Sequence, residues 1–565
     1  MVKRGAFLLV LCLVFLSIGT ASAAEYTHVI ANSEDWRDVY STLRYADIIG
    51  AGKDFLVSTR HGPLLLNGIS KENDVLVVSS RTVPYVFNYQ DLVSGRGFRS
   101  ADEKVVGSAN LELINEKELG GIKNFVIVGD NYGYNAIAVA PYAAINNAWV
   151  FFANRANVDE IDSIMANRKV DEVLIYGFVE REAKQTLAHY NPEIIDTGDR
   201  FKDNIEIVKK FLKIRPTEQV LLTNGEFIEK ELMTGVNPIL FTGKENVPSQ
   251  ISDYLSSSDI QVGVLVGSDL VGAATNIRRS TGISVIVKFA RGARAPTGAV
   301  AAVENLDLFY LPIPIMQLSL HSAKYNRATS QLELTYHSES NIPVFFKGTI
   351  TPTSGGEEGT RIGDVDPIFI APNDYKTVSY PDVEFNGESL TLDVFTLYGD
   401  TSSSLEKILE ARVDAEIVNI LDRCDIEIDS VKFSKPRQQF LVKVKNIGDI
   451  DCWVDIELSA VLIDGIPTTL GSDGSVQIKA GKSKNVVIDQ EMSDADLDAN
   501  PFVDVIVYYG EREDSLVKVQ RGRFELKIET ISFVTIGLIA LIVVIVAAFF
   551  ILFFLWRRRK KEEGW

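Results

Sequence analysis

The chain has 565 residues and a formal net charge of −19, with 46% hydrophobic residues. Its length exceeds what a single hydrophobic core serves, so several domains are expected. Its acidity argues against a nucleic-acid partner, because an anionic surface repels a phosphate backbone.

At the N-terminus, Lys3 and Arg4 precede an apolar run from Ala6 to Ile18 and the small-residue triplet Ala21-Ser22-Ala23. These are the parts of a cleavable signal peptide, predicted over residues 1–23. Three segments then share one pattern, an apolar strand, a polar turn, a helix and a second apolar strand. They are HVIANSEDWRDVYSTLRYADIIGAGKDFLVS from His28, FVIVGDNYGYNAIAVAPYAAINNAWVFFA from Phe125 and QVLLTNGEFIEKELMTGVNPILFT from Gln219. In the third the helical stretch is shortened and has no clear equivalent. The strands starting at Val29, Val126 and Val220 are separated by 97 and 94 residues. Each unit adds a further apolar strand: DVLVVSS from Asp74, DEVLIYGF from Asp171 and QVGVLVG from Gln261. Continuous apolar runs read as parallel strands covered by helices on both faces. A period near 95 residues suits a small α/β subdomain, so three units are expected at 24–111, 112–193 and 194–305, around a pseudo-threefold axis.

The segment IIDTGDRFKDNIEIVKKFLK from Ile194 resembles the opening of the cell wall binding repeat type 2 family, whose units start with a Gly-Asp-Arg-aromatic turn leading into a helix. The strand, polar turn and Ala-rich helix from Phe125 resemble the central part of the same repeat. The resemblance implies three tandem Rossmann-like units that hold a surface protein non-covalently to anionic envelope polymers. The family's Asp-Ala-Leu on the central helix corresponds to Asp38-Val39-Tyr40 in the first unit and Asn135-Ala136-Ile137 in the second.

From about Pro312 the pattern changes to period-two strands broken by Gly, Pro, Asn and Asp, such as LSLHSAK and LTLDVFTLYG. Two antiparallel β-sandwiches are predicted, at 313–420 and 421–528. In the second, Asn446-Ile447-Gly448 and Ala480-Gly481-Lys482-Ser483 resemble CARDB-type adhesion domains of prokaryotic surface proteins. Two antiparallel passes separate Cys424 from Cys452, bringing them to one end of that sandwich, so a disulfide is expected. Next, Ile531 to Trp556 holds no charged residue, and 26 residues at about 1.5 Å rise suffice for the roughly 30 Å of bilayer hydrocarbon. A transmembrane helix is predicted there. Arg557 to Lys561 are all basic and would keep the tail 557–565 cytoplasmic. Setting aside +2 in the leader and +3 in the tail leaves −24 on residues 24–530, which would face outward.

The expected fold class is therefore multidomain: three α/β repeats, two antiparallel sandwiches and one transmembrane helix. The expected location is the cell membrane, single-pass. The five histidines, His28, His61, His189, His321 and His337, show no metal-ligand spacing, and Gly-x-Ser-x-Gly is absent. No catalytic set, metal or cofactor is expected. Asp494, Asp496 and Asp498 alternate like a calcium loop, but Ala499 and Val505 stand where Gly and a bidentate Glu are needed. Strand-to-helix turns are the candidate ligand sites, since helix N-termini present free N–H groups. Their residues are Asp35, Asp38, Asp130, Asn131, Asp199, Arg200, Ser268 and Asp269. The function expected is non-catalytic association of the repeats with an envelope polymer or surface-layer protein. The alternative is an adhesion or sensory ectodomain that takes a protein or small ligand between repeats.

Overall fold

His28–Asn32 is buried along its whole length and forms strand β1. Helix α1, Trp36–Ile49, begins where the Asp35 carboxylate accepts the Arg37 N–H. It ends at Gly50, whose φ of 74° lets its N–H reach the carbonyls of Ala46 and Asp47. There follow β2 (Gly52–Phe55), α2 (His61–Leu65), β3 (Asp74–Ser80), α3 (Tyr89–Gly95) and β4 (Ser100–Val106). All four strands run parallel in the order β2-β1-β3-β4. The computed structural model describes residues 26–267, 270–288, 307–385, 387–530 and 544–553. The expected signal peptide lies outside them.

A short helix, α4 (Ala109–Glu112), leads into the second sheet. Its elements are β5 (Asn124–Gly129), α5 (Tyr134–Ile145), β6 (Ala148–Ala153), α6 (Val158–Ala166), β7 (Glu172–Tyr176), α7 (Arg181–Thr186) and β8 (Glu193–Ile195). The order is β6-β5-β7-β8, again all parallel. Because β8 pairs with β7, this sheet extends to Ile195, across the expected boundary at 193/194. Helix α8 (Arg200–Ile214) leads into the third sheet. It comprises β9 (Gln219–Thr223), β10 (Phe227–Ile228), β11 (Ile239–Phe241), α9 (Ser249–Ser257), β12 (Val262–Val266), α10 (Val271–Thr281) and β13 (Ser284–Lys288), with β14 at Phe309–Tyr310. Strands β11-β9-β12-β13 repeat the same parallel order. Val29, Val126 and Val220 thus sit on the same interior strand of three sheets.

The third unit departs from the others after β9, where α1 and α5 have no counterpart. The described residues 224–238 instead carry β10, which pairs antiparallel with β14. The bend starts at Gly225, with φ of 77°, where a Cβ would lie 2.9 Å from the Phe241 ring. Gly235 and Pro238 further disfavour a helix. Helix α5 is buried from Asn135 to Ala143, as a helix apolar all round must be. One apolar core draws Tyr40 and Phe55 from the first unit, Ile137 and Phe152 from the second, and Leu222 and Phe241 from the third. A fully buried side chain of this size contributes about 1.5–3 kcal/mol.

The chain divides into two compact units, Met1–Ile313 and Pro314–Trp565. In the second, strands Leu318–Asn326, Gln331–Ser338, Tyr375–Tyr380 and Glu416–Val418 form one sheet. Strands Val344–Ser354, Thr391–Gly399 and Lys407–Asp414 form the spine of its mate. Beyond residue 421 a single eight-stranded sheet curls around its own core, because Lys518–Glu529 pairs with Phe502–Gly510 along one stretch and with Ile426–Ser434 along another. Purely antiparallel pairing does not hold. Leu318–Asn326 runs parallel to Glu416–Val418, and Ile426–Ser434 runs parallel to Lys518–Glu529. In each case the last strand of the domain returns to pair with its first. Cys424 and Cys452 are disulfide-bonded with Cα atoms 5.6 Å apart, both fully buried.

The transmembrane helix is a correction. Among the described residues no helix is long and apolar enough to cross a membrane. Within 531–556 the described residues 544–553 are helical. The rest of that span and the tail 557–565 lie outside the described residues. The expected fold class with its membrane helix, and the single-pass membrane location drawn from it, are therefore set aside.

Candidate binding face at the strand ends

In parallel sheets the backbone leaves each strand's carboxyl end through a turn, and three such turns meet here. After β1, Asn32 is fully buried and ties the chain down, its Nδ2 donating to Ser79 Oγ at 2.9 Å and to the Val86 carbonyl at 2.7 Å. Arg37, in the first turn of α1, donates from Nη2 to Asp35 at 2.7 Å and from Nη1 to Asp130 at 3.2 Å. The hydrogen bond that Arg37 donates to Asp35 is the foremost reason its pKa is raised. Asp130 follows β5 and also accepts Asn154 Nδ2 at 2.6 Å, so this carboxylate joins the first two units. At the next junction, Tyr134 Cβ lies 3.1 Å from where a Cβ on Gly225 would sit, and the Arg200 guanidinium stands 5.4 Å from the Tyr134 ring centroid.

Most of the expected turn acids are engaged in holding the scaffold. Asp38 is 5% exposed, accepts Ser33 Oγ at 2.9 Å, and accepts the Ala109 N–H at 2.8 Å, which caps α4 of the second unit. Burial is the main cause that raises its pKa. Asp199 is the N-cap of α8, accepting the N–H groups of Phe201 and Lys202 and, at 3.0 Å, Gln250 Nε2. Asp35 likewise fills the N-terminus of α1 with its own carboxylate, which repels an incoming anion. At α5 no side chain caps the N-terminus, but Leu311 crowds Gly133 and the Gly133 N–H donates to the Pro312 carbonyl. Asn131 is exposed. Ser268 and Asp269 lie outside the described residues.

Around these ties the face presents Arg37, 41% exposed at its side chain, and Phe178, 63% exposed, which follows β7 beside Gly129. Phe87, after β3, is 78% exposed. The turn signal in the sequence does not find these residues, because they neither cap helices nor belong to a motif. Asn110 and Asn204 were also missed, although their spacing of 94 residues matches the strand repeat. The Asp494–Ala499 run is a helix, with Ser493 and Asp496 capping each other. Among the described residues no group of three or more His, Cys, Asp or Glu side chains is placed to hold a metal ion.

No family model and no curated protein matches the chain. Among solved structures, Cwp6 from Clostridium difficile is 14% identical with a TM-score of 0.36, the match covering 45% of this chain and 44% of that one. Cwp8 from the same organism is 15% identical with a TM-score of 0.37, covering 46% of this chain and 48% of that one. The match therefore spans less than half the length of either protein. Class 5 fimbriae chaperone CfaA has a TM-score of 0.14 at 11% identity, covering 37% of this chain. Likeness at these scores carries no argument about function, which rests on the geometry of the strand-end face.

Proposed function

We propose that the chain is a non-catalytic, surface-associated binding protein that takes an envelope polymer across the strand-end face of its three α/β sheets. The arrangement of the turns supports this reading. Asp35, Asp38, Asp130 and Asp199 are engaged in caps and ties, Arg37 is held by Asp35 and Asp130, and Asn131 and Phe178 are left toward solvent around them. An amide bonds hydroxyl groups, and an aromatic ring covers the apolar face of a sugar. A broad face of this kind accommodates an extended chain better than a small molecule, which favours an enclosing pocket.

The test is retention of the full-length chain on immobilised, purified envelope polysaccharide. The double variant Asn131→Ala/Phe178→Ala is expected to bind at least about tenfold more weakly, about 1.4 kcal/mol. Unchanged affinity in a folded variant overturns the assignment of the face. Retention by surface-layer protein alone moves the partner from polymer to protein.

A further inference from the structure

Strand Cys452–Ile463 has two faces. Val454, Ile456 and Leu458 enter the core of the second sandwich, so Asp455 and Glu457 project from the opposite side. There they meet the first sandwich and are buried, at 3% and 4% exposure. Lys376, from the strand Tyr375–Tyr380, covers them with its Nζ 3.0 Å from Asp455 Oδ2 and 2.5 Å from Glu457 Oε1. The Tyr508 ring lies 3.6 Å from Nζ, and its hydroxyl donates to Glu457 Oε2 at 3.3 Å. Ser472 Oγ donates to Asp455 Oδ1 at 2.7 Å, leaving Oδ2 to the lysine.

A third acid, Asp374, is also buried close by, and burial together with Asp455 pushes its pKa up to about 7. Burial raises the Glu457 pKa too, and for Lys376 it acts in the lowering direction but is outweighed by Glu457 and Asp455. One buried ammonium among three buried carboxyl groups is a costly arrangement that a neutral product relieves.

We propose that Lys376 and Asp455 condense into an intramolecular isopeptide bond that fastens the two sandwiches together. The ammonium and carboxylate contain the atoms of one amide and one water, so no oxidant, reductant or other reactant is needed. Glu457 relays a first proton from Nζ to Oδ2, leaving a neutral amine beside a carboxylic acid. The Nζ lone pair then attacks Asp455 Cγ, and charge develops on Oδ1 under the Ser472 hydroxyl. Glu457 passes a second proton from nitrogen to Oδ2, the Cγ–Oδ2 bond breaks, and water leaves. Effective molarities of about 10⁵–10⁸ M for groups held in this way speed the attack. The bond makes the joint between the sandwiches resist pulling along the chain.

Intact mass of the purified, reduced full-length chain decides the matter. The wild type is expected to be one water lighter than its sequence requires, with trypsin leaving Lys376 uncut and releasing a branched peptide joined to the segment that carries Asp455. Lys376→Arg and Asp455→Ala are expected at full mass. Glu457→Gln is expected to form the bond at least about 100-fold more slowly. A wild-type chain at full mass, cleaved after Lys376, overturns the proposal, and a branch at Glu457 overturns the choice of Asp455.

Discussion

Asn110 and Asn204 make the same pair of hydrogen bonds in successive units. Asn110 Nδ2 donates to the Val150 carbonyl at 2.8 Å while its Oδ1 accepts the Phe152 N–H at 3.2 Å. Asn204 repeats this with Ile239 at 3.0 Å and Phe241 at 2.7 Å. Each residue sits on the helix that leads into a sheet and closes the outer edge of that sheet's end strand, β6 or β11. A carboxamide suits the place because it offers a donor and an acceptor on one plane, matching the N–H and C=O that an edge strand leaves unpaired.

Replacement of Asn204 by Ala leaves both Ile239 C=O and Phe241 N–H without their partner in a buried place. The expected loss is about 2–3 kcal/mol. Chemical denaturation of the full-length chain measures it, and Asn110→Ala should cost a similar amount because the same groups are orphaned on β6.

Asp203 supplies a pH signature. It is 3% exposed, accepts the Thr197 N–H at 2.8 Å, and has a pKa pushed up by burial to about 6. A carboxyl group whose folded pKa is raised binds its proton more tightly in the folded state. Its contribution is therefore most favourable below the unfolded value, about 3.9, and declines until pH passes about 6. The Asp203→Asn variant is expected to lose this slope and to match or exceed wild-type stability at pH 7.5, by up to about 2–3 kcal/mol. Melting temperatures recorded from pH 4 to pH 8 check the sign.

Asp54 behaves in the opposite sense and holds the third unit to the first. Its Oδ2 lies 3.0 Å from His28 Nε2, and Lys230 of the third unit pairs with its Oδ1. Burial acts to raise its pKa, but His28 and Lys230 overcome that and the net shift is downward. Stability from this carboxylate is present above its unfolded pKa and is lost as pH falls through the folded one. Asp54→Asn should cost about 2–3 kcal/mol at neutral pH and less at pH 3. Urea midpoints at the two pH values test the difference.

The bridge between Cys424 and Cys452 closes a loop of 28 residues, and the chain-entropy model assigns it about 3–4 kcal/mol. The double variant Cys424→Ala/Cys452→Ala is expected to unfold at lower denaturant by that amount. Alkylation of the native, unreduced protein should label neither cysteine.

Apolar patterning along the chain was enough to read a mixed α/β half followed by an all-strand half, with the change near residue 313, because strand burial leaves a local imprint of continuous or alternating residues. Where the local pattern was the sole guide it also misled. The uncharged run Ile531–Trp556 reads as a membrane span, yet among the described residues no helix is long and apolar enough for that role. The pattern after Val220 reads as strand and helix, but Gly225 and the pairing of β10 with β14 turn the chain elsewhere. Side-chain partnerships lay further out of reach. Asp38 finds Ala109 across 71 residues, Asp54 finds Lys230 across 176, and Lys376 finds Asp455 across 79. A charged residue in a sequence carries no mark of its partner. Burial decides whether an acid caps a helix, binds a ligand or pairs with a base, and burial is settled only when distant strands pack together.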